Sequence, residues 1–211
     1  MLYTSHRASQ DALRQRLREL AGCATTGGNV SSGIYSSPLG NFTVPVPAMG
    51  FGAVVQEHSS ADECMVAFHD DFGGLRRIDC WRLPAAAAAM IGEPDRMSER
   101  YSGYMTTIVL PGMEQQSPGA AVLDERFVGE DEDRAYFCVV EIPGGSTLMD
   151  VVSGRGPDSR RGFLVFARGG FMYLVVTADD MSAITGWDPS EETFAGMLEQ
   201  ALRFRLTIEF K

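Results

Sequence analysis

Residues 35–47 read YSSPLGNFTVPVP, residues 51–60 read FGAVVQEHSS, and residues 65–83 read MVAFHDDFGGLRRIDCWRL. These runs decide the fold, because apolar residues alternate or cluster in them as strands require and turn residues separate them. Ser37-Pro38-Leu39-Gly40 is the opening turn: proline presets φ and glycine relieves the tight bend. Phe42, Val44 and Val46 then alternate with Thr43, Pro45 and Pro47. Two prolines cannot donate to a ladder, which predicts a strand at a sheet edge or twisting out of it. Ala53 to Gln56 reads as a second short strand, and Glu57 to Asp62 as a polar connection. Met65 to His69 and Leu75 to Leu83 form a hairpin whose turn is Asp70 to Gly74.

Outward from this half-sheet, PAAAAAMIG at 84–92 predicts a short helix with Pro84 at its start and Gly92 as its stop. From Pro94 to Leu110 a longer helix presents Met97, Tyr101, Tyr104, Met105 and Ile108 on one stripe, ended by Pro111-Gly112. Ala121 to Glu130 and Arg134 to Ile142 read as an antiparallel pair around the acidic turn Glu130 to Asp133. Ser146 to Val152 reads as a short helix and SGRGPDSRRG at 153–162 as an exposed loop. Phe163 to Ala167 and Phe171 to Ala178 are continuous apolar runs around Gly169-Gly170, as central strands covered on both faces require. A last helix is capped by Asp188, with Pro189 and Glu191 in its first turn and Phe194, Met197, Leu198, Ala201 and Leu202 on its apolar face. Phe204, Leu206, Ile208 and Phe210 alternate with Arg205, Thr207 and Glu209 as a closing half-buried strand. Tight turns between strand pairs make the sheet mainly antiparallel, and the fold class is α+β with helices packed on the faces of the sheet.

The chain has 211 residues, enough for one large core, and a net charge of −10 at pH 7. That charge speaks against a nucleic-acid or anionic-membrane surface, which needs clustered cations. No apolar stretch of about 18 residues is present to span a bilayer. The four cysteines, Cys23, Cys64, Cys80 and Cys138, form no C-x-x-C pair, so no zinc or thioredoxin-type site is indicated. Three of them lie in or beside strands and read as small buried hydrophobes.

Ser9 to Ala21 predicts a charged helix, with Leu13, Leu17 and Leu20 on one face. Leu20-Ala21-Gly22-Cys23 resembles a bacterial lipobox, and residues 24–33 have the Gly/Ser/Thr composition of a flexible tether. Residues 5–20 are too charged to serve as the apolar region of a signal peptide. Two readings of residues 1–23 stay open: a charged helix with a chance motif, or a degenerate lipoprotein signal with Cys23 as the lipidation candidate. The packed domain is expected over 34–211.

Chemistry is sparse. His69, Asp70 and Asp71 form the best local cluster, a candidate for weak ligand or metal binding, although a hairpin turn also collects aspartates to accept backbone N–H bonds. Asp131 and Asp133 lack the spaced ligands of a calcium loop. Glycine pairs fall at turns and no phosphate-binding loop is present, so no cofactor and no metal are expected. Arg155, Arg160 and Arg161 form a compact basic patch on the expected loop, suited to an acidic partner or to simple solvation. Trp81 and Trp187 read as partly buried packing residues.

The opening run at 35–47, HDDFGGLRRID at 69–79, RGFLVFA at 161–167 with MYLVVTA at 172–178, and the closing FRLTIEF together resemble the PsbP-like α/β/α sandwich. That is the fold of the photosystem II extrinsic protein and of small bacterial proteins, many of them lipoproteins. The resemblance spans 34–211 and rests on element order and turn wording. It implies a binding or assembly protein with no catalytic residue to carry over; with no transit segment recognisable, a photosystem role is not implied. The expected function is therefore a non-catalytic envelope protein, periplasmic or on the outer membrane through a lipid anchor, that binds a protein or small ligand. The alternatives are a cytoplasmic interaction or chaperone-like module using the N-terminal helix, and an enzyme using His69, Asp70 and Asp71.

Overall fold

The computed structural model describes residues 29–49, 53–70, 73–89, 93–146, 158–179 and 194–211. The expected helices at 9–21 and 146–152, the lipidation candidate Cys23, and Asp71, Arg155, Trp187 and the cap at 188–191 lie wholly or mainly outside them.

Two sheets carry the fold. Seven antiparallel strands run in the order β4 (Val54–Ser59), β5 (Glu63–His69), β6 (Gly74–Arg82), β10 (Phe171–Asp179), β9 (Ser159–Arg168), β8 (Ala135–Ile142) and β7 (Ala121–Val128). A smaller sheet runs β1 (Val30–Ser31), β2 (Ile34–Ser36), β3 (Phe42–Pro45) and β11 (Glu209–Phe210). The helices are α1 (Ala85–Ala88), α2 (Pro94–Tyr104), α3 (Leu110–Gln116) and α4 (Phe194–Leu206). The small sheet and α4 cover one face of the large sheet, and α1 to α3 pack on the other, so the α+β sandwich expected from the sequence is the observed architecture.

The apolar runs explain the layering. Strands β8, β9 and β10 are buried on both faces, so their side chains enter two separate cores. Phe68, Ile78, Phe137, Phe166 and Tyr173 meet Tyr35, Phe42, Met197 and Phe204 on one side. Tyr136, Cys138, Val165 and Leu174 meet Met97, Tyr101 and Met105 on the other. Each buried aromatic or Leu-sized side chain contributes on the order of 1.5–3 kcal/mol of transfer free energy. Gly162 in β9 fits for a steric reason: a Cβ there would lie 3.0 Å from the Phe137 ring and 3.2 Å from Thr177 Oγ1.

Several expectations are corrected. Strand pairing begins at Val30, inside the stretch expected as a tether, with Val30 opposite Tyr35. The run 57–59 belongs to β4 and pairs with β5, because backbone pairing there does not depend on side-chain polarity. Strand β3 is internal to the small sheet, between β2 and β11, yet Pro45 is harmless. The Val46 N–H reaches the Gly33 carbonyl on the β2 side, so alternation points the Pro45 nitrogen to the other side, where β11 pairs only with Thr43 and Phe42. The predicted closing strand from Phe204 is helical through Leu206, which is 84% exposed, and only Glu209 and Phe210 are extended.

The long helix does not stop at Pro111. A π-helical turn at Met105–Val109, in which the Leu110 N–H reaches the Met105 carbonyl, joins α2 to α3. Proline lacks an N–H and its ring crowds the carbonyl four residues back; the wider turn relieves that conflict and lets the helix continue. The extra residue also rotates the stripe. Ile108 is 59% exposed, and Val109, Leu110 and Met113 pack toward the core in its place.

Candidate functional site

The turn cluster resolves into local structure. His69 ends β5 opposite Leu75, and Asp70 Oδ1 accepts the Gly74 N–H at 2.9 Å, closing the hairpin. The basic loop is in part a strand: Arg160 and Arg161 lie in β9, not on an exposed loop. Arg160 pairs with Glu141 at 3.3 Å and Arg161 Nη2 donates to the Gly145 carbonyl at 2.7 Å. Asp133 is engaged by Arg168 and Arg205. Among the described residues no group of three or more His, Cys, Asp or Glu side chains is placed to hold a metal ion.

The side chains that do converge lie on β5 and β6. Alternation along a strand sends Ile78 and Cys80 into the core beneath the small sheet, and Arg77, Asp79 and Trp81 to the opposite face. On β5 the direct partners of these three are Ala67, Met65 and Glu63. The Trp81 ring lies against the Tyr104 ring of α2, with centroids 4.4 Å apart and planes tilted by 37°. Beside them Arg77 Nε donates to Asp79 Oδ1 at 2.8 Å; the Asp79 side chain is 15% exposed and that of Arg77 42%. Burial raises the Asp79 pKa, with Arg77 acting against it through a hydrogen bond and its charge. Burial also pushes the Tyr104 hydroxyl up to about 12, helped by the Asp79 charge. The result is a half-exposed aromatic pair beside a mostly desolvated carboxylate, with a guanidinium reaching out to solvent. Such a site can stack a flat apolar group and satisfy a donor at Asp79.

The other face of the same strands carries a second cluster. Cys64 and Cys80 are directly opposite in the β5–β6 ladder and both are buried. Tyr35 Oη is hydrogen-bonded to Cys64 Sγ at 3.2 Å. Asn41 Nδ2 donates to the Tyr173 hydroxyl at 2.9 Å and to Cys80 Sγ at 3.5 Å, while Ser37 Oγ donates to Asn41 Oδ1 at 2.7 Å. The opening turn thus docks onto the large sheet through polar bonds inside an aromatic core. Cys138 is buried on the far face, among the residues beneath α2.

Sequence reasoning missed both groupings. The thiol pair had a usable signal: Cys64 and Cys80 each lie five residues from the first hairpin pair, His69 and Leu75, so the register alone opposes them. Strand alternation likewise puts Arg77, Asp79 and Trp81 on one face. Tyr104 had no such signal, because its approach depends on how α2 crosses the sheet.

No family model matches the chain, and no curated protein matches it. Among solved structures the chain is similar to cyanobacterial PsbP (CyanoP) from Synechocystis, with a TM-score of 0.50 and 12% identity over 89% of this chain and 98% of that one. It also matches a Bacteroides thetaiotaomicron protein with a TM-score of 0.40 and 10% identity, over 86% of this chain and 49% of that one. The fold is PsbP-like.

Proposed function

We propose that the chain is a non-catalytic bacterial envelope protein, lipoprotein-derived, that binds a protein segment or small ligand at the cluster of Trp81, Tyr104, Arg77 and Asp79. The observation that carries this reading is the aromatic pair standing beside a mostly buried carboxylate. Half-exposed aromatic surface next to a desolvated charge supplies both contact area and direction, the two components of a selective binding site. The PsbP-like fold and the lipobox-like LAGC at 20–23 support the envelope assignment.

The test is affinity recovery from envelope extract with wild-type, Trp81→Ala and Asp79→Asn proteins of matched folded fraction. A specific bound species is expected to fall about tenfold in either variant, the usual loss when a central anchor is truncated. An identical bound set for all three proteins sinks this cluster as the binding site. Recovery of the native protein only from the soluble cytoplasmic fraction sinks the envelope assignment.

A further inference from the structure

We propose that Cys64 and Cys80 are a thiol–disulfide exchange pair, oxidised by a small-molecule or protein disulfide and covered by the small sheet as a gate. The ladder supplies the first requirement. Directly opposed residues of antiparallel strands hold their Cα atoms about 4.5–5.5 Å apart, within the roughly 4.4–6.8 Å that a disulfide spans. Here the pair is set by a register that continues unbroken on both sides, with Glu63 opposite Trp81 and Met65 opposite Asp79.

The surroundings supply the second. The two thiols are inequivalent in the way an attacking and a resolving cysteine are. A hydrogen bond from Cys80 is the main cause that lowers the Cys64 thiol to about 7, with Tyr35 and Ser37 adding to it against the opposing effect of burial. Cys80 moves up, first because it donates to Cys64 and then because it is buried. The opposite directions of the two shifts make Cys64 the attacking thiol and Cys80 the resolving one.

The chemistry closes without a metal or a redox cofactor. The Cys64 thiolate attacks one sulfur of the oxidant disulfide, an S–S bond forms to Cys64, and the oxidant's other sulfur leaves as a thiolate that takes a proton. Cys80 then loses its proton and attacks Cys64 Sγ, forming the Cys64–Cys80 bond and expelling the second oxidant sulfur. The protein gives up two electrons and two protons; the oxidant disulfide becomes two thiols.

Access is the remaining requirement, because Tyr35 and Asn41 roof the pair. That roof belongs to the least extensive element of the fold, a sheet whose outer strands β1 and β11 are two residues each. Short, weakly paired elements open first in sub-global unfolding, so exchange proceeds when the small sheet lifts. Asn41 holds the roof down through Tyr173 and Cys80.

The experiment uses the full chain in buffers of graded oxidised to reduced glutathione, quenched in acid, alkylated after unfolding and mapped by mass spectrometry. The expected result is a species lighter by two hydrogens, with Cys64 linked to Cys80, that reverts fully in reduced glutathione. Asn41→Ala is expected to speed its formation about tenfold, as the loss of a buried hydrogen-bonding side chain predicts for a gated step. If Cys64 and Cys80 both stay alkylatable at every ratio, or the bridges formed involve Cys23 or Cys138, the pair is overturned. An unchanged rate in Asn41→Ala overturns the small sheet as the gate. No ligand of the Trp81–Tyr104 cluster enters the measurement, so its failure leaves the binding role of that cluster standing.

Discussion

The two faces of the large sheet rest on the same strands and are finished differently. The face beneath the small sheet and α4 is closed by interlocking rings: Phe166 stacks on Tyr173 at 5.3 Å, and Phe210 meets both edge-on. Ser37, Asn41 and Tyr173 are bonded to one another in its interior. The face beneath α2 and α3 is as well packed over β8 to β10, yet at β5 and β6 its groups stay half-exposed around Trp81 and Tyr104. Closure on one side gives a rigid strand on which groups of the other side can be held at fixed spacing.

The largest way to break the comparison is Phe166→Ala. It removes a fully buried ring from the closed face and should cost about 3–5 kcal/mol, read as a lower urea midpoint at unchanged slope. A loss below about 1 kcal/mol would show that the interlocked rings do not close this face. Asn41→Ala comes next. It deprives Tyr173 of a buried donor and Ser37 of an acceptor, and about 1–3 kcal/mol should be lost in the same assay. Trp81→Ala, on the open face, should cost about 1–2 kcal/mol, because the ring is half-buried and loses one aromatic contact; a cost equal to that of Phe166→Ala would erase the distinction between the faces.

The smallest effect is a slope. The folded state binds the Asp79 proton more tightly than the unfolded chain does, since burial raises its pKa above the ordinary 3.8. The stability this proton supplies is present below that value and is lost as pH rises through the folded-state pKa. Asp79→Asn should flatten this part of the stability profile, measured by denaturation between acidic and neutral pH. A profile identical to that of the wild type would mean that the carboxyl is solvated in the folded protein.

Much of this architecture is written locally. Turn residues and apolar runs place the β5–β6 and β9–β10 hairpins, because neighbouring strands joined by tight turns need only short-range rules. The departures come where distant partners override local preference. Residues 57–59 are polar and still extended because β5 provides a ladder; Pro111 is inside a helix because a π-helical turn makes room; Phe204 to Leu206 alternate like a strand but finish a helix packed on the large sheet. The candidate site was half legible for the same reason. Positions on β5 and β6 follow from register, whereas the Trp81–Tyr104 contact is decided by helix packing and leaves no mark in either local sequence.

The pairing of β11 with β3 also sets an order in time. Thr43 meets Glu209 at a sequence separation of 166, and Lys211 N–H closes on the Asn41 carbonyl. Loop closure over such a distance is slow relative to forming a hairpin. During synthesis Tyr35 and Asn41 emerge before the β5–β6 hairpin, but Tyr173, which anchors Asn41, and β11, which completes the small sheet, emerge long after it, so the roof over Cys64 and Cys80 is fastened last. Whatever their oxidation state in the finished protein, it can be set while the chain is still being made.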